Sequence, residues 1–431
     1  MNTQESGSAW EAAQNKKKIL GIVAEYNPFH HGHKYQIEQA KKQSEADYVI
    51  IAMSGHFVQR GEPAIYDSHL RAEMALRCGA DAVFEIPCAF STASAEDFAG
   101  YALRLLEGLG ADCISFGVEN AEEEELRILA KLLLKESEQF QAMLKKLLAR
   151  GMSFPLAREK ALSLELRRRE YSEDFIMRSE ELLRSPNNIL ALEYIKSLIR
   201  MRSLMKPVLI RREGSAYHCG ELEKDRFPSA TAIRRLIREE RDLQKLRYAL
   251  PDPVLELIKE ARPLFADDFS FHLYRKIREC SYAQDSLEEF WDISKELGDR
   301  ISRRILLSSS YAKLVEEMKT RQYTYTRVSR ALSHILLNIK KKEMEKFKAE
   351  DYAPYAALLG FRSTELLRLI KKRSTLPLLS KLSAASKLLP PSSYALFTKE
   401  SFAAELYNSV YFEKYEAFLP ERFRRRIIRM F

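Results

Sequence analysis

Short apolar runs rich in β-branched residues alternate with stretches of helical periodicity through the first half of the chain. Ile19 to Ala24, Tyr48 to Met53, Ala82 to Ile86, Cys113 to Phe116 and Pro207 to Ile210 have strand character, and apolar residues three or four apart recur between them. This alternation predicts a doubly wound parallel sheet, a Rossmann-like α/β fold with helices on both faces. Ligands of such sheets sit beyond the carboxyl ends of the strands, so the loops after the five runs are expected to converge on one crevice. Residues 119 to 183 read as long charged helices within this unit, with Glu122 to Glu125 near a helix start and Lys145, Lys146 and Arg150 near its end, which complements the helix dipole. From Pro251 onward strand patterns give way to Leu, Ile, Tyr and Phe at helical spacing among Lys and Arg, which predicts an all-helical basic domain. The expected division is a polar leader over residues 1–17, a sheet domain over 18–250 and a helical domain over 251–431.

The chain has 431 residues, 46% hydrophobic and 30% charged, enough for two or three domains with a sizeable core. No window approaches 18 uncharged apolar residues and no basic flank leads into an apolar stretch, so the expectation is a cytoplasmic protein with no membrane partner. Cys78, Cys88, Cys113, Cys219 and Cys280 are odd in number and form no Cys-x-x-Cys pair. Buried free thiols are expected, with no disulfide framework and no metal site. Charge changes the picture more. Residues 301 to 431 carry 26 Lys and Arg against 12 Asp and Glu, and residues 1 to 300 hold the remaining 44 against 49. A basic terminal region on a slightly acidic body points to a polyanion such as RNA, although solvated helix faces are also basic. Arg327, Lys341, Lys342, Lys371, Lys372, Arg424 and Arg425, in clusters beside aromatics or hydroxyls, are the candidate RNA contacts. No stable protein partner is predicted.

The candidate chemistry is concentrated between Gly21 and Gln36, where the first apolar run meets helix formers through Asn27-Pro28 and three histidines, His30, His31 and His33. A helix start presents unpaired N–H groups and a positive dipole end, and Gly32 lets a polyphosphate approach the backbone with no Cβ in the way. His30 and His33 add side-chain donors at the same place. A helix-capping turn with exposed imidazoles, or a stray metal site, is the alternative for an isolated pair. After the second run, Ser54, Gly55, His56, Gln59 and Arg60 belong to a polar connection too long for a minimal turn, which marks a substrate loop. Taken singly, His56 reads as a satisfied turn residue and Arg60 as a surface cation. Gly117 ends the fourth run, where an adenine ring can lie on bare backbone or the strand can simply turn. Asn187 precedes a helix over Ile189 to Arg200 and can either cap it or reach toward a ligand, capping being the cheaper explanation. Arg212, at the end of the fifth run, can meet phosphates. Ser229 and Thr231 open a helix that continues through Glu240.

Pro28 to His33 resembles the His-x-Gly-His signature of the HIGH nucleotidyltransferase superfamily, which includes class I aminoacyl-tRNA synthetases. Ser229 to Arg234 resembles its second signature, of the Ser-Ser-Thr-x-Ile-Arg type. The match then tightens. Val-Ala-Glu-Tyr-Asn-Pro-Phe-His-His-Gly-His at 23 to 33, Met-Ser-Gly-His-Phe-Val-Gln-Arg-Gly-Glu-Pro-Ala at 53 to 64, Ser-Phe-Gly-Val-Glu at 115 to 119, Ser-Pro-Asn-Asn-Ile-Leu at 185 to 190 and Ser-Ala-Thr-Ala-Ile-Arg at 229 to 234 look together like the bacterial tRNA(Met) cytidine acetate ligase family. The resemblance implies activation of acetate by ATP, with magnesium on the triphosphate. It further implies transfer of the acetyl group to N4 of the wobble cytidine of elongator tRNA(Met), giving N4-acetylcytidine, AMP and pyrophosphate. It places ATP contacts on Val23, Ala24, Glu25, Tyr26, Asn27, Pro28, Phe29, His30, His31, Gly32, His33, Lys34, Tyr35, Gln36, Gly117, Asn187, Arg212, Ser229 and Thr231, with His30 and His33 catalytic. The chain departs from the family pattern at His31, where relatives often have Asn, at Arg211, which competes with Arg212 for one role, and in the leader. Two other classes fit in part. A small-molecule adenylyltransferase of the coenzyme-biosynthesis kind leaves the basic domain unexplained, and a tRNA-binding protein with a vestigial nucleotide site would show no turnover.

Overall fold

A computed structural model of the chain describes residues 17–212, 228–240, 242–305 and 307–430. The leader expected over 1–17, apart from Lys17, and Cys219 lie outside the described residues. The five expected strands form as β1 (Ile19–Ala24), β2 (Tyr48–Ser54), β3 (Ala82–Ile86), β4 (Cys113–Val118) and β5 (Lys206–Arg211), neighbours pairing in parallel in the order β3-β2-β1-β4-β5. The chain moves outward from β1 to β3, then returns to the other side of β1 for β4 and β5. That reversal sends the connections after β1 and β4 to opposite faces and opens a crevice at their carboxyl ends.

Side-chain alternation assigns the two faces. Leu20, Ile22, Val49, Ile51 and Met53 pack with Ile37 and Ala40 of α1 (His31–Ser44). Ile50, Ala52, Phe84, Ile86 and Ile114 pack on the other side with Leu103 and Leu106 of the helix Ala95–Gly108. Each Val, Leu, Ile, Phe or Met among these contributes about 1.5–3 kcal/mol on burial, so a one-residue register slip, which exchanges the faces, is strongly disfavoured. The further helices that shape the site are α2 (Ser68–Arg77), α3 (Pro186–Met201), α4 (Ala230–Glu239), α5 (Tyr325–Leu336) and α6 (Pro391–Tyr415). Cys78, Cys88, Cys113 and Cys280 are free and buried. No helix among the described residues is long and apolar enough to cross a membrane.

The region after Pro251 is helical over most of its length, as expected, with one correction. It also supplies β6 (Ala356–Phe361), β7 (Leu378–Leu379) and β8 (Ile428–Arg429). β6 runs antiparallel to β3 and carries β7 and β8 in parallel, so the C-terminal region extends the same sheet. All six residues of β6, Ala-Ala-Leu-Leu-Gly-Phe, are buried. A short run buried on every side shows neither period, and local pattern cannot tell it from a buried helical turn.

A buried polar network ties this extension to the sheet. Arg422 donates from both terminal nitrogens to Glu85 on β3, at 3.0 and 2.5 Å. Glu400 on α6 accepts from the Cys88 N–H at 2.6 Å and lies 3.3 Å from His56 Nδ1.

Candidate active site

β1 ends at Ala24, and the chain crosses Glu25 to Phe29 before His30 caps α1 in an extended conformation. Local anchors fix this loop. Arg71 of α2, fully buried, donates to the carbonyls of Glu25 (2.5 Å), Ser54 (3.1 Å), Tyr66 (2.9 Å) and Gly55. Asn27 Oδ1 accepts from Ile65 N–H at 2.9 Å, and the Asn27 carbonyl accepts from Arg234 at 2.9 Å. Tyr26 and Phe29 are buried in the core.

His30 and His33, one turn apart, stack with ring centroids 3.6 Å apart. The His30 N–H donates to His33 Nδ1 at 3.2 Å. A ring nitrogen that accepts carries no hydrogen, so neutral His33 is a donor through Nε2. His30 Nδ1 is buried and has no hydrogen-bond partner among the described residues. Burial, seconded by the charge of Arg212, holds the His30 imidazole down to about 3, and burial beside His30 holds His33 well below its usual value. Both rings are neutral donors at pH 7.

These rings open on a cleft of about 710 Å³ at the switch point of the sheet. Gly32, Tyr35 and Gln36 line it from α1, Gly117 and Glu119 from β4 and its exit, Asn187 from α3, Arg212 from the end of β5, and Ser229, Thr231 and Arg234 from the start of α4. Phe116 and Tyr194, 5.2 Å apart by ring centroids, give it an aromatic wall with Phe98, Leu190 and Ile210. Gln59 and Arg60 enter from the substrate loop.

Asn187 is not a cap. Its side chain bridges Arg212 Nη1, which donates to Oδ1 at 3.0 Å, and Glu119, which accepts from Nδ2 at 2.8 Å. Arg211 pairs with Glu122, so Arg212 is the guanidinium joined to Asn187. Ser229 is a plain cap, accepting from Ala232 N–H at 3.2 Å, and Thr231 Oγ1 accepts from Arg234 Nη2 at 3.2 Å. Desolvation draws the guanidiniums of Arg212 and Arg234 below their usual range, with Arg60 pushing the same way. Crowded cations beside two helix N-termini form a polyanion site.

Several expected residues sit elsewhere. Tyr26, Asn27, Pro28 and Phe29 support the loop from behind; Lys34 pairs with Glu38 at 3.8 Å, and the His31 N–H donates to the Ala249 carbonyl at 3.0 Å. Ser54, Gly55 and His56 are buried beneath the cleft and do not line it. His56, Glu85 and Glu400 bring possible metal ligands within 4.8 Å of one another, but Arg422 already supplies the cation there. Arg425 is spent in a buried ion pair with Asp67, whereas Lys342, Lys371, Lys372 and Arg424 are exposed. Arg327 lies over the Tyr323 ring at 5.0 Å, and Lys341 faces Glu288 at 3.8 Å. Arg234, Glu119 and the aromatic wall were not singled out in the sequence as site residues. Arg234 falls inside the second signature, which is the signal that points to it.

The geometry defines a nucleotide-binding α/β protein with paired histidines at a helix start, and the chain belongs to the HIGH Nucleotidyl Transferase family, whose model matches residues 17–419. Within that group it falls among the tRNA(Met) cytidine acetate ligases. It is 38% identical over 401 residues to the tRNA(Met) cytidine acetate ligase of Thermoanaerobacter sp. (strain X514), covering 91% of this chain and 95% of that protein. It is 37% identical over 405 residues to the one from Acetivibrio thermocellus, with the same coverage. Two crystal structures of Thermotoga maritima TmcAL, each 31% identical, superpose over 96% of this chain and 99% of theirs. The apo form gives a TM-score of 0.87, and the form bound with alpha-thio ATP gives 0.85.

Proposed function

We propose that this protein is an ATP-dependent ligase that activates acetate as acetyl-adenylate and transfers the acetyl group to N4 of the wobble cytidine of elongator tRNA(Met), acting in the cytoplasm. The observation that carries this reading is the meeting of two signature segments, His30 to His33 and Ser229 to Arg234, in one cleft with Arg212. The similarity to cytidine acetate ligases, and to a TmcAL that binds an ATP analogue, supplies the substrates.

An acetate oxygen attacks the α-phosphorus, and the bond to the bridging oxygen of the β-phosphate breaks. The neutral rings of His30 and His33 donate to the oxygens on which charge grows, the preorganised arrangement that favours a transition state over its ground state. Arg212, Arg234 and the N-terminus of α4 hold the departing pyrophosphate. The aromatic wall seats the adenine. Magnesium accompanies the triphosphate; Glu25 and Glu119 are the carboxylates that line the cleft, so the ion would be held mainly by phosphate oxygens and water, as magnesium prefers. Residues 18–250 form the catalytic unit, and residues 251–431, with Arg327, Lys342, Lys371, Lys372 and Arg424, seat the tRNA.

Incubation of the protein with ATP, labelled acetate and elongator tRNA(Met), followed by nucleoside mass analysis, is expected to yield N4-acetylcytidine with stoichiometric AMP. A product in which AMP is joined to a small molecule would replace this reading with a coenzyme-type adenylyltransferase. tRNA binding without acetate-dependent turnover would leave only a binding protein.

A further inference from the structure

Acetyl transfer, the second half of the reaction proposed for this protein, ends with a proton to be removed, and the assignment of its acceptor rests on that reaction. The exocyclic amine of cytidine is conjugated to its ring and weakly basic. Once N4 has bonded to the carbonyl carbon it is strongly acidic, and a nearby carboxylate is base enough to take its proton.

The cleft offers few acceptors. His33 Nδ1 already receives the His30 N–H, and its other nitrogen bears the hydrogen used as a donor. His30 Nδ1 is fully buried. Glu119 is held by Asn187 Nδ2 at the end of β4, on the Arg212 side. Glu25, like Glu119, accepts one hydrogen bond at its carboxylate from the described residues, and differs from it in position. It lines the cleft at the exit of β1, and its Oε1 accepts from Gln59 N–H at 2.9 Å. Its Oε2 receives no hydrogen bond from any described residue, and its backbone carbonyl is clamped by buried Arg71 at 2.5 Å. The substrate loop and the nucleotide loop therefore meet at this carboxylate, which is fixed at one oxygen and open at the other.

We infer that Glu25 is the proton acceptor of acetyl transfer. The N4 lone pair forms the C–N bond, the C–O bond to the AMP phosphate breaks with its electron pair leaving on AMP, and the N4 proton passes to Glu25 Oε2 and then to solvent. A contact of Glu25 with ATP would affect both half-reactions, whereas its loss as a base affects only the second, so the ratio of the two rates reports on the proton transfer.

Glu25→Gln keeps an oxygen for the Gln59 N–H and removes the basic site. Acetate-dependent exchange of pyrophosphate into ATP measures the first half-reaction, and hydroxylamine, nucleophilic without a base, traps acetyl-adenylate as acetohydroxamate. In the variant, single-turnover acetylation of tRNA is expected to fall about a hundredfold further than either exchange or hydroxamate formation falls. Hydroxamate formed by the variant also reports an intact fold. Exchange and tRNA acetylation falling together would overturn the inference and assign Glu25 to nucleotide or magnesium binding. Unchanged acetylation would also overturn it, since AMP or water would then take the proton. A parent protein without acetate-dependent exchange would instead refute the proposed reaction itself.

Discussion

Among single residues, the informative pair is His30 with His33. Their stacking, and the backbone hydrogen bond that fixes the His33 tautomer, leave Nε2–H as the donor. Removing one preorganised donor of this kind costs about 10²–10³ in rate. His33→Ala is expected to lower acetate-dependent pyrophosphate exchange by that factor while leaving tRNA binding in a filter assay unchanged. The same burial makes stability depend on pH. His30 and His56 are both held down to about 3, against an ordinary value of 6.5. Each is neutral in the folded protein and protonates near 6.5 once unfolded, so the unfolded chain binds more protons as pH falls below about 6.5. Their stabilising contribution is complete above that value and is lost toward pH 3, by at most about 1.4 kcal/mol per pH unit for each ring. Urea unfolding between pH 7 and 5 is expected to show falling stability, with a shallower slope for His56→Gln. The residues flanking Gly32 were legible because a strand, a turn and a helix start lie within one short window. His56 was not, because its partner Glu400 is 344 positions away.

Among the elements, the substrate loop shows how a connection becomes rigid. The Gly61 carbonyl accepts from Tyr311 OH at 2.9 Å and from Ser329 and Ser333 Oγ, each at 2.7 Å, the two serines lying one turn apart on α5. Gly61 has φ +74°, and a Cβ there would fall on the backbone of Ser329 and Arg330. Gly61→Ala is expected to destabilise the protein by about 2–4 kcal/mol in urea unfolding. Ser329→Ala and Ser333→Ala should each cost about 1 kcal/mol. Gly117 is a milder case: an added Cβ would meet the Arg212 stem at 3.4 Å, so Gly117→Ala should raise the KM for ATP with little change in stability. Sequence pattern found five strands to within a residue or two because each is a short apolar run with β-branched residues, bounded by turn residues and set between helical stretches. It missed β6, and it favoured a cap for Asn187, whereas α3 begins at Pro186, three residues before the expected Ile189, and turns that side chain toward Arg212.

Across the molecule, the C-terminal region is built into the sheet. Arg422 and Glu85, 3% and 1% exposed as side chains, are joined by two hydrogen bonds across 337 positions. Breaking a buried pair by removing one partner costs about 3–5 kcal/mol, because the other charge is stranded. Arg422→Met is expected to lose that much stability in chemical denaturation, and Arg422→Met with Glu85→Met to recover much of it. The same pairing revises the electrostatics. Arg422 and Arg425 belong to the basic excess of the terminal region, yet both are neutralised by ion pairs with Glu85 and Asp67, and the exposed Arg424 and Arg426 present the accessible charge of that cluster.

The parallel α/β core, the helix start that carries His30, Gly32 and His33, and the second signature at Ser229 to Arg234 could all be read from the order of residues alone. Strand alternation, helix periodicity and capping are short-range properties, complete within a dozen or so residues. Long-range packing was needed to bring β6 against β3, to turn Arg234 and Asn187 toward the same cleft, to leave Glu25 with one oxygen open, and to withdraw Arg425 from the surface. Each of those outcomes depends on which distant groups must share a buried space and satisfy one another's charge and hydrogen bonds, a condition that no local window of sequence contains.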